Sequence, residues 1–277
     1  MPTNSRIGDI LIMNKQNLIE YLRPLAPQGF CVAFSGGVDS AVLLAACCSL
    51  TQNVHAVTVQ TPLHQKTESA EAADLAAVIG CKHTVIKITS IPDTVAENTP
   101  ERCYLCKNDI FCRIKAYAAE NDLENVLDGT NLDDLSQYRP GLRALAELGI
   151  ISPLRECELT KQQVREIATE FSLSVARKPS TPCLATRFPY YDKLITEQLA
   201  KVGTIEAFMH NLGFAIVRAR VHNNILRLEL PTDRLAEAVN KYCEIADFCK
   251  NLGFAYTTLD LEGFRSGSMD ILPEQKS

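Results

Sequence analysis

The period of the apolar residues changes several times along the chain, and each change marks an element. Cys31 to Phe34 is a short apolar run of β type, and Val54 to Val59 and His83 to Ile88 are further strand-like runs. Between them the spacing turns helical. Ala41 to Leu50 is alanine-rich, Lys66 to Ile79 closes on Gly80, and Asn108 to Asn121 continues the pattern. Asn125 to Asp128 then runs as a strand into Gly129-Thr130-Asn131. This alternation predicts an α/β fold, a doubly wound parallel sheet. Asn14 to Leu22 predicts a short leading helix with Leu18, Ile19 and Leu22 on one face. Thr160 with Gln163 predicts a capping box that opens a helix running to Glu170. Tyr138-Arg139-Pro140-Gly141 reads as a turn.

From Arg177 to Tyr191 the pattern stops. Pro179, Pro182 and Pro189 forbid a regular element, so Ser180 to Arg187 is expected to be a stiff loop. Beyond it the pattern predicts a helix (Thr196 to Leu212), two strands (Phe214 to His222, Ile225 to Leu230), a helix (Asp233 to Leu252) and a strand (Phe254 to Leu261). Asn-Leu-Gly-Phe-Ala occurs at Asn211 and again at Asn251, each time as a helix-capping glycine ahead of a strand. The expected organisation is a larger α/β domain over 1–176, a proline-cysteine loop over 177–192, and a smaller α+β domain over 193–277.

Composition narrows the function classes. A chain of 277 residues that is 46% hydrophobic supports a real core. A net charge of −5 argues against a surface built mainly for long nucleic acid. The residues up to Asp9 are mostly polar and Ile10 to Met13, the one apolar run there, is too short for a signal peptide or a span, so a cytoplasmic protein without membrane contact is expected. Eleven cysteines in such a chain are read as reduced, buried or metal-bound.

Ser35-Gly36-Gly37-Val38-Asp39-Ser40 lies between a strand and a helix. Two glycines and two hydroxyls there expose N–H groups at the positive end of a helix dipole, which suits phosphate. No Walker A spacing is present; the S-G-G-x-D-S pattern resembles the PP-loop of the adenine-nucleotide α-hydrolases. That resemblance implies ATP cleavage between the α and β phosphates, with AMP left on a substrate oxygen and pyrophosphate released. It implies that Ser35, Gly36, Gly37 and Ser40 hold the pyrophosphate portion and that Asp39 orients the loop or a Mg²⁺ ion. Gly129 and Thr130, followed by Asp133 and Asp134, resemble the second nucleotide and metal site, with Asp134 a further Mg²⁺ candidate. Paired acids also suit a solvated helix start.

Cys103-Tyr104-Leu105-Cys106 is a C-x-x-C pair, and Cys183 stands in the proline loop. The pair alone fits a redox couple, half a zinc site or two ligands of an iron–sulfur cluster. A third cysteine on a constrained loop favours a three-cysteine site; zinc, or a buried loop thiol at Cys183, stays open. Three thiolates on a four-iron cluster leave one iron free to hold sulfide. Cys31, Cys47, Cys48, Cys81, Cys112, Cys157, Cys243 and Cys249 lie in or beside apolar stretches and read as core residues.

Taken with Ser35 to Ser40, the segments Glu101 to Lys107, Lys178 to Arg187 and Gly263 to Met269 resemble the LarE family over almost the whole chain. LarE proteins are ATP-dependent sulfur transferases of nickel-pincer nucleotide biosynthesis. The resemblance implies adenylation of a carboxylate of pyridinium-3,5-biscarboxylic acid mononucleotide and replacement of its oxygen by sulfur, with the nickel-binding product serving lactate racemase. In one branch the loop cysteine gives up its own sulfur and becomes dehydroalanine, and that branch lacks the C-x-x-C. With Cys103 and Cys106 present, the chain is similar to the other branch, in which Cys103, Cys106 and Cys183 bind a [4Fe-4S] cluster and sulfur comes from a sulfide donor. A homo-oligomer is implied as well.

Strand alternation sends Arg218, Arg220 and His222 to one face, where two arginines suit a phosphate. The resemblance implies that Arg218 and Arg220 bind the substrate's phosphate, with Arg265 and Glu206 as further candidates; His222 reads as an exposed surface histidine. Other classes remain. A tRNA thiolase of the same superfamily would use the same loop and cluster, but basic stripes and terminal zinc-ribbon cysteines are not seen in the sequence. An amide-forming NAD or GMP synthetase relative has no need of the three cysteines, and a nucleotide-binding regulator explains none of them.

Overall fold

The computed structural model describes residues 14–136, 140–178, 181–265 and 269. The described parts of Met1–Gln60, Lys66–Ile88 and Cys103–Thr181 form one compact unit, and those of Thr61–Gln65, Thr89–Arg102 and Pro182–Ser277 form a second. Pro179, Ser180, part of the turn at Tyr138 and Arg139, and Ser266 to Ser268 lie outside the described residues.

In the first unit, β1 (Phe30–Ala33), β2 (Val54–Gln60), β3 (Lys82–Lys87) and β4 (Asn125–Leu127) make a parallel sheet in the order β3-β2-β1-β4. Alternate residues feed two cores, as a sheet covered on both faces requires. Phe30, Val32, Val54 and Ala56 pack with Leu43, Leu44 and Ile167 on one side. Cys31, Val57 and Val59 pack with Phe111, Ile114 and Leu145 on the other. This is the predicted α/β arrangement. The capping box at Thr160 is present and opens the helix Lys161–Glu170.

Two helix starts fall earlier than the apolar pattern predicts. The helix after β1 spans Val38–Cys48, so Asp39 and Ser40 belong to its first turn instead of the loop. An extended Gly37 ends the loop, and an acid in the first turn suits the helix dipole. The helix predicted from Asn108 begins at Arg102, which brings Cys103 and Cys106 into its first two turns.

In the second unit, β5 (Arg218–His222), β6 (Ile225–Glu229) and β7 (Tyr256–Leu259) form a sheet in that order, β5 antiparallel and β7 parallel to β6. The helix Thr196–Asn211 precedes it. The strand predicted from Phe214 starts at Arg218, because Phe214 belongs to a helix cap. Gly213 has φ +93° and Gly253 φ +96°, and the amides of Phe214 and Phe254 reach back to Met209 and Cys249 at 3.1 and 3.3 Å. Both phenylalanines are buried. The repeated pentapeptide is thus one Schellman-type cap used twice. The single helix expected from Asp233 is two, Leu235–Asn240 and Tyr242–Asn251, parted at Lys241, where φ is −102° and ψ 18°. The proline loop also holds a short 3-10 turn, Leu184–Arg187. No helix among the described residues is long and apolar enough to cross a membrane.

Candidate functional site

The loop between β1 and its helix is shaped by close approaches. Gly36 has φ +71°, a conformation that favours glycine, and a Cβ there would lie a tight 3.2 Å from the Ala72 backbone. Ser40 Oγ donates to the Gly37 carbonyl at 3.1 Å and accepts from the Ser35 amide at 3.3 Å, while Ser35 Oγ accepts from the Gly37 amide at 3.3 Å. At the end of β4, a Cβ on Gly129 would stand 3.0 Å from the Ser40 amide nitrogen and 3.1 Å from Asp39 Cβ. The two strand ends therefore meet at the carboxyl edge of the sheet, where open α/β sheets bind ligands. Thr130 and Ser152 both donate to the buried Asp128 carboxylate at 2.5 Å, which fixes the backbone beside Gly129.

Asp39 is held from the far side of the sequence. Its carboxylate accepts from Asn131 Nδ2 at 3.0 Å and from Lys161 Nζ at 2.5 Å. The Lys161 amide donates to Asp133 at 2.9 Å, and the Asn131 amide to Asp134 at 3.1 Å. Asp39, Asn131, Asp133, Asp134 and Lys161 thus form one polar network around the loop. Lys161 was not foreseen; its capping box was legible, but its approach to Asp39, 122 residues away, leaves no local trace. Among the described residues no group of three or more His, Cys, Asp or Glu is gathered as for a metal. Mg²⁺ needs none, since it takes one or two carboxylates and completes its shell with phosphate oxygens and water. Asp39 and Asp134 supply hard oxygens of that kind.

Cys103 and Cys106 stand three residues apart on one helix face. Cys103 is exposed and Cys106 half-buried; of the eight cysteines expected in the core, Cys31, Cys47 and Cys249 are buried, Cys48, Cys81 and Cys157 are half-buried, and Cys112 and Cys243, on the outer sides of their helices, are exposed. Such a thiol pair fits iron or zinc by its donor chemistry.

Cys183 lies in the second unit, half-buried, at the start of the 3-10 turn. Arg187, fully buried, donates from Nε and Nη2 to both oxygens of Glu206 at 2.9 Å. Its Nη1 reaches the carbonyls of Pro182 (2.9 Å) and Cys183 (3.1 Å) and Thr186 Oγ1 (2.7 Å). Glu206 is buried and also accepts from Gln65 Nε2 and from the Ala219 amide, each at 3.0 Å. Nothing in the sequence reading assigned a role to Arg187 or Gln65.

Of the two strand arginines, Arg220 is buried, donating to the Thr186 carbonyl at 2.7 Å and to Glu229 at 2.9 Å. Arg227 joins Glu229 to Asp260, and Arg265 bonds Asp260 and Glu262. Arg218 makes no ion pair among the described residues; its Nη1 donates to the Val217 carbonyl at 2.7 Å and its guanidinium lies 5.3 Å from the Phe264 ring. Burial, with Arg187 adding repulsion, lowers its pKa to about 10. His222 is half-buried, where an exposed position is expected; on its face of β5 Arg220 is buried while Arg218 and His222 stay partly open. Burial holds its imidazole below the ordinary value.

A family model described as NAD synthase matches residues 11–142. The pyridinium-3,5-bisthiocarboxylic acid mononucleotide synthase of Lactiplantibacillus plantarum is 36% identical over 264 residues, spanning 94% of this chain and 95% of that protein. An uncharacterized protein of Synechocystis is 36% identical over 243 residues, 86% of this chain and 91% of its own. An uncharacterized protein of Methanocaldococcus jannaschii is 33% identical over 256 residues, covering 92% and 97%.

Proposed function

The chain belongs to the LarE family, that of the Lactiplantibacillus plantarum synthase, and from that premise we propose that it inserts sulfur into a pyridinium mononucleotide carboxylate at the expense of ATP. It is an ATP-dependent enzyme of the PP-loop type. The observation that carries the reading is the loop Ser35–Ser40 closed against Gly129, in a chain related to that synthase over 94% of its length.

In the proposed reaction, the amides around Ser35, Gly36, Gly37 and Ser40 hold the β and γ phosphates, with Lys161 adding positive charge and Asp39 and Asp134 suited to Mg²⁺. A substrate carboxylate oxygen attacks the α-phosphorus, the bond to the β-phosphate oxygen breaks, and pyrophosphate leaves with the electron pair. A sulfur nucleophile then adds to the acyl carbon, the bond to AMP breaks, and AMP leaves a thiocarboxylate. Arg218 and Arg220 hold the substrate's own phosphate. Arg218 is the stronger anchor, since it makes no ion pair among the described residues and a half-buried guanidinium gains from an added anion.

Cys103, Cys106 and Cys183 would hold a [4Fe-4S] cluster, which when bound supplies an iron position able to carry sulfide. The exposed thiol of Cys103 and the half-buried thiol of Cys106, on one helix face, support this branch over donation from Cys183 itself. Anaerobically purified protein is expected to show brown iron–sulfur absorption that is lost in Cys103→Ala, Cys106→Ala and Cys183→Ala. An intact mass showing dehydroalanine at Cys183 after turnover would decide for the sacrificial route. AMP and pyrophosphate release is expected with the pyridinium dicarboxylate mononucleotide; stimulation only by unmodified tRNA would overturn the substrate.

A further inference from the structure

We propose that the buried Arg187–Glu206 pair is a positioning device that fixes the backbone of Cys183 and so aims its thiol. The proposal deepens the function above and rests on Cys183 taking part in it.

A fully buried ion pair is a poor way to stabilise a fold. Removing both charges from water costs several kcal/mol per ion, roughly offset by their attraction, so apolar residues of similar volume would serve stability as well. The geometry shows what the pair does instead. Nη1 of Arg187 bonds the carbonyls of Pro182 and Cys183, which belong to the two peptide planes flanking the Cys183 Cα. The second plane is also held by its amide, since Leu184 donates to the Leu63 carbonyl at 2.8 Å. Peptide planes are rigid, so pinning both leaves Cys183 at φ −58° and ψ 152° with only χ1 free to move the sulfur.

Glu206 anchors the other end. Its four donors come from Arg187 twice, from Gln65 and from the Ala219 amide. Ala219 follows Arg218 on β5, so one carboxylate ties the cysteine loop to the strand that carries the proposed phosphate anchor. A lysine cannot replace Arg187, because the arrangement needs a planar fork that donates to Glu206 on one side and to two carbonyls on the other. Glu206 thereby acts through Arg187 and not by touching substrate.

The test uses the full chain as wild type, Arg187→Lys and Glu206→Gln. Alkylation by iodoacetamide is followed peptide by peptide, with the exposed Cys112 and Cys243 as internal references. Both variants are expected to fold and to label Cys183 severalfold faster relative to those references, because a loosened loop uncovers a half-buried thiol. In steady state, thiocarboxylate kcat should fall while KM for ATP stays unchanged. Folded variants with unaltered relative labelling of Cys183 would overturn the proposal, and so would unfolding of both, which would make the pair part of the scaffold. Faster labelling in the variants together with no thiocarboxylate from wild type would leave the backbone clamp standing and remove the proposed function.

Discussion

The Ser35–Ser40 loop and the arginine-rich region of the second unit both gather positive potential, by opposite means. The loop does it with backbone amides of neighbouring residues, shaped by glycines that permit contacts of about 3 Å, and with one lysine. The second region uses the side chains of Arg187, Arg218, Arg220, Arg227 and Arg265, four of them tied to Glu206, Glu229, Asp260 or Glu262. A backbone site tolerates changes of side-chain charge but not an added Cβ. A side-chain site has the reverse sensitivity, and within it a paired arginine and an unpaired one differ in what they do.

The sharpest break falls on the loop. Gly129→Val would press its side chain on the Ser40 amide and on Asp39; overpacking costs about 1–3 kcal/mol, here spent on the phosphate-binding groups. AMP formation is expected to fall by up to ~100-fold, each 1.4 kcal/mol being tenfold, and the melting temperature to fall by several degrees. Next comes the contrast between the two strand arginines. Arg220→Ala takes one partner from the fully buried Glu229 and should lower stability by about 3 kcal/mol, seen in chemical denaturation. Arg218→Ala breaks no ion pair among the described residues, so it should leave stability near wild type and raise KM for the phosphorylated substrate by about 10- to 50-fold, the worth of a charge-assisted bond. Equal effects of the two would mean that both arginines do the same job.

Lys161→Met is a smaller change. It removes one cation from the loop, so kcat/KM for ATP should drop by roughly tenfold. It also frees Asp39 from its lysine, so half-saturation by Mg²⁺ should move to lower concentration. The smallest expected effect is on pH dependence. Burial holds His55, His64, His83 and His222 below the ordinary 6.5. Below that value the unfolded chain binds more protons than the folded one. Stability should therefore be full above 6.5 and decline as pH falls beneath it, by a few degrees in melting temperature between about pH 7.5 and 5.5. A melting temperature that rises on acidification would contradict the sign.

What could be read in advance follows from range. The four strands of the parallel sheet and the capping box at Thr160 are written in neighbouring residues, and the phosphate loop is contiguous. The early start of the helix at Arg102 was hidden because Arg102 to Lys107 mixes charged and thiol residues without an apolar stripe. The Lys161–Asp39 contact is set by the fold of the whole sheet and has no local signature. Glu206 did leave a trace. It occupies the buried stripe formed by Leu199, Val202, Ile205 and Met209, and an acid on such a stripe demands a buried cation; the proline loop that delivers Arg187 to it obeys no period. Arg218 and Arg220 were paired by alternation, but the acid that separates their roles, Glu229, sits on the next strand.

The most direct measurement is the mass of the product formed by anaerobic protein given ATP, Mg²⁺, sulfide and the pyridinium dicarboxylate mononucleotide in excess over enzyme. The expected product has one oxygen exchanged for sulfur, in amounts exceeding the enzyme, with AMP and pyrophosphate released in step and Cys183 unchanged in mass. No exchange of oxygen for sulfur in that substrate, with ATP cleavage awakened only by tRNA, would contradict it.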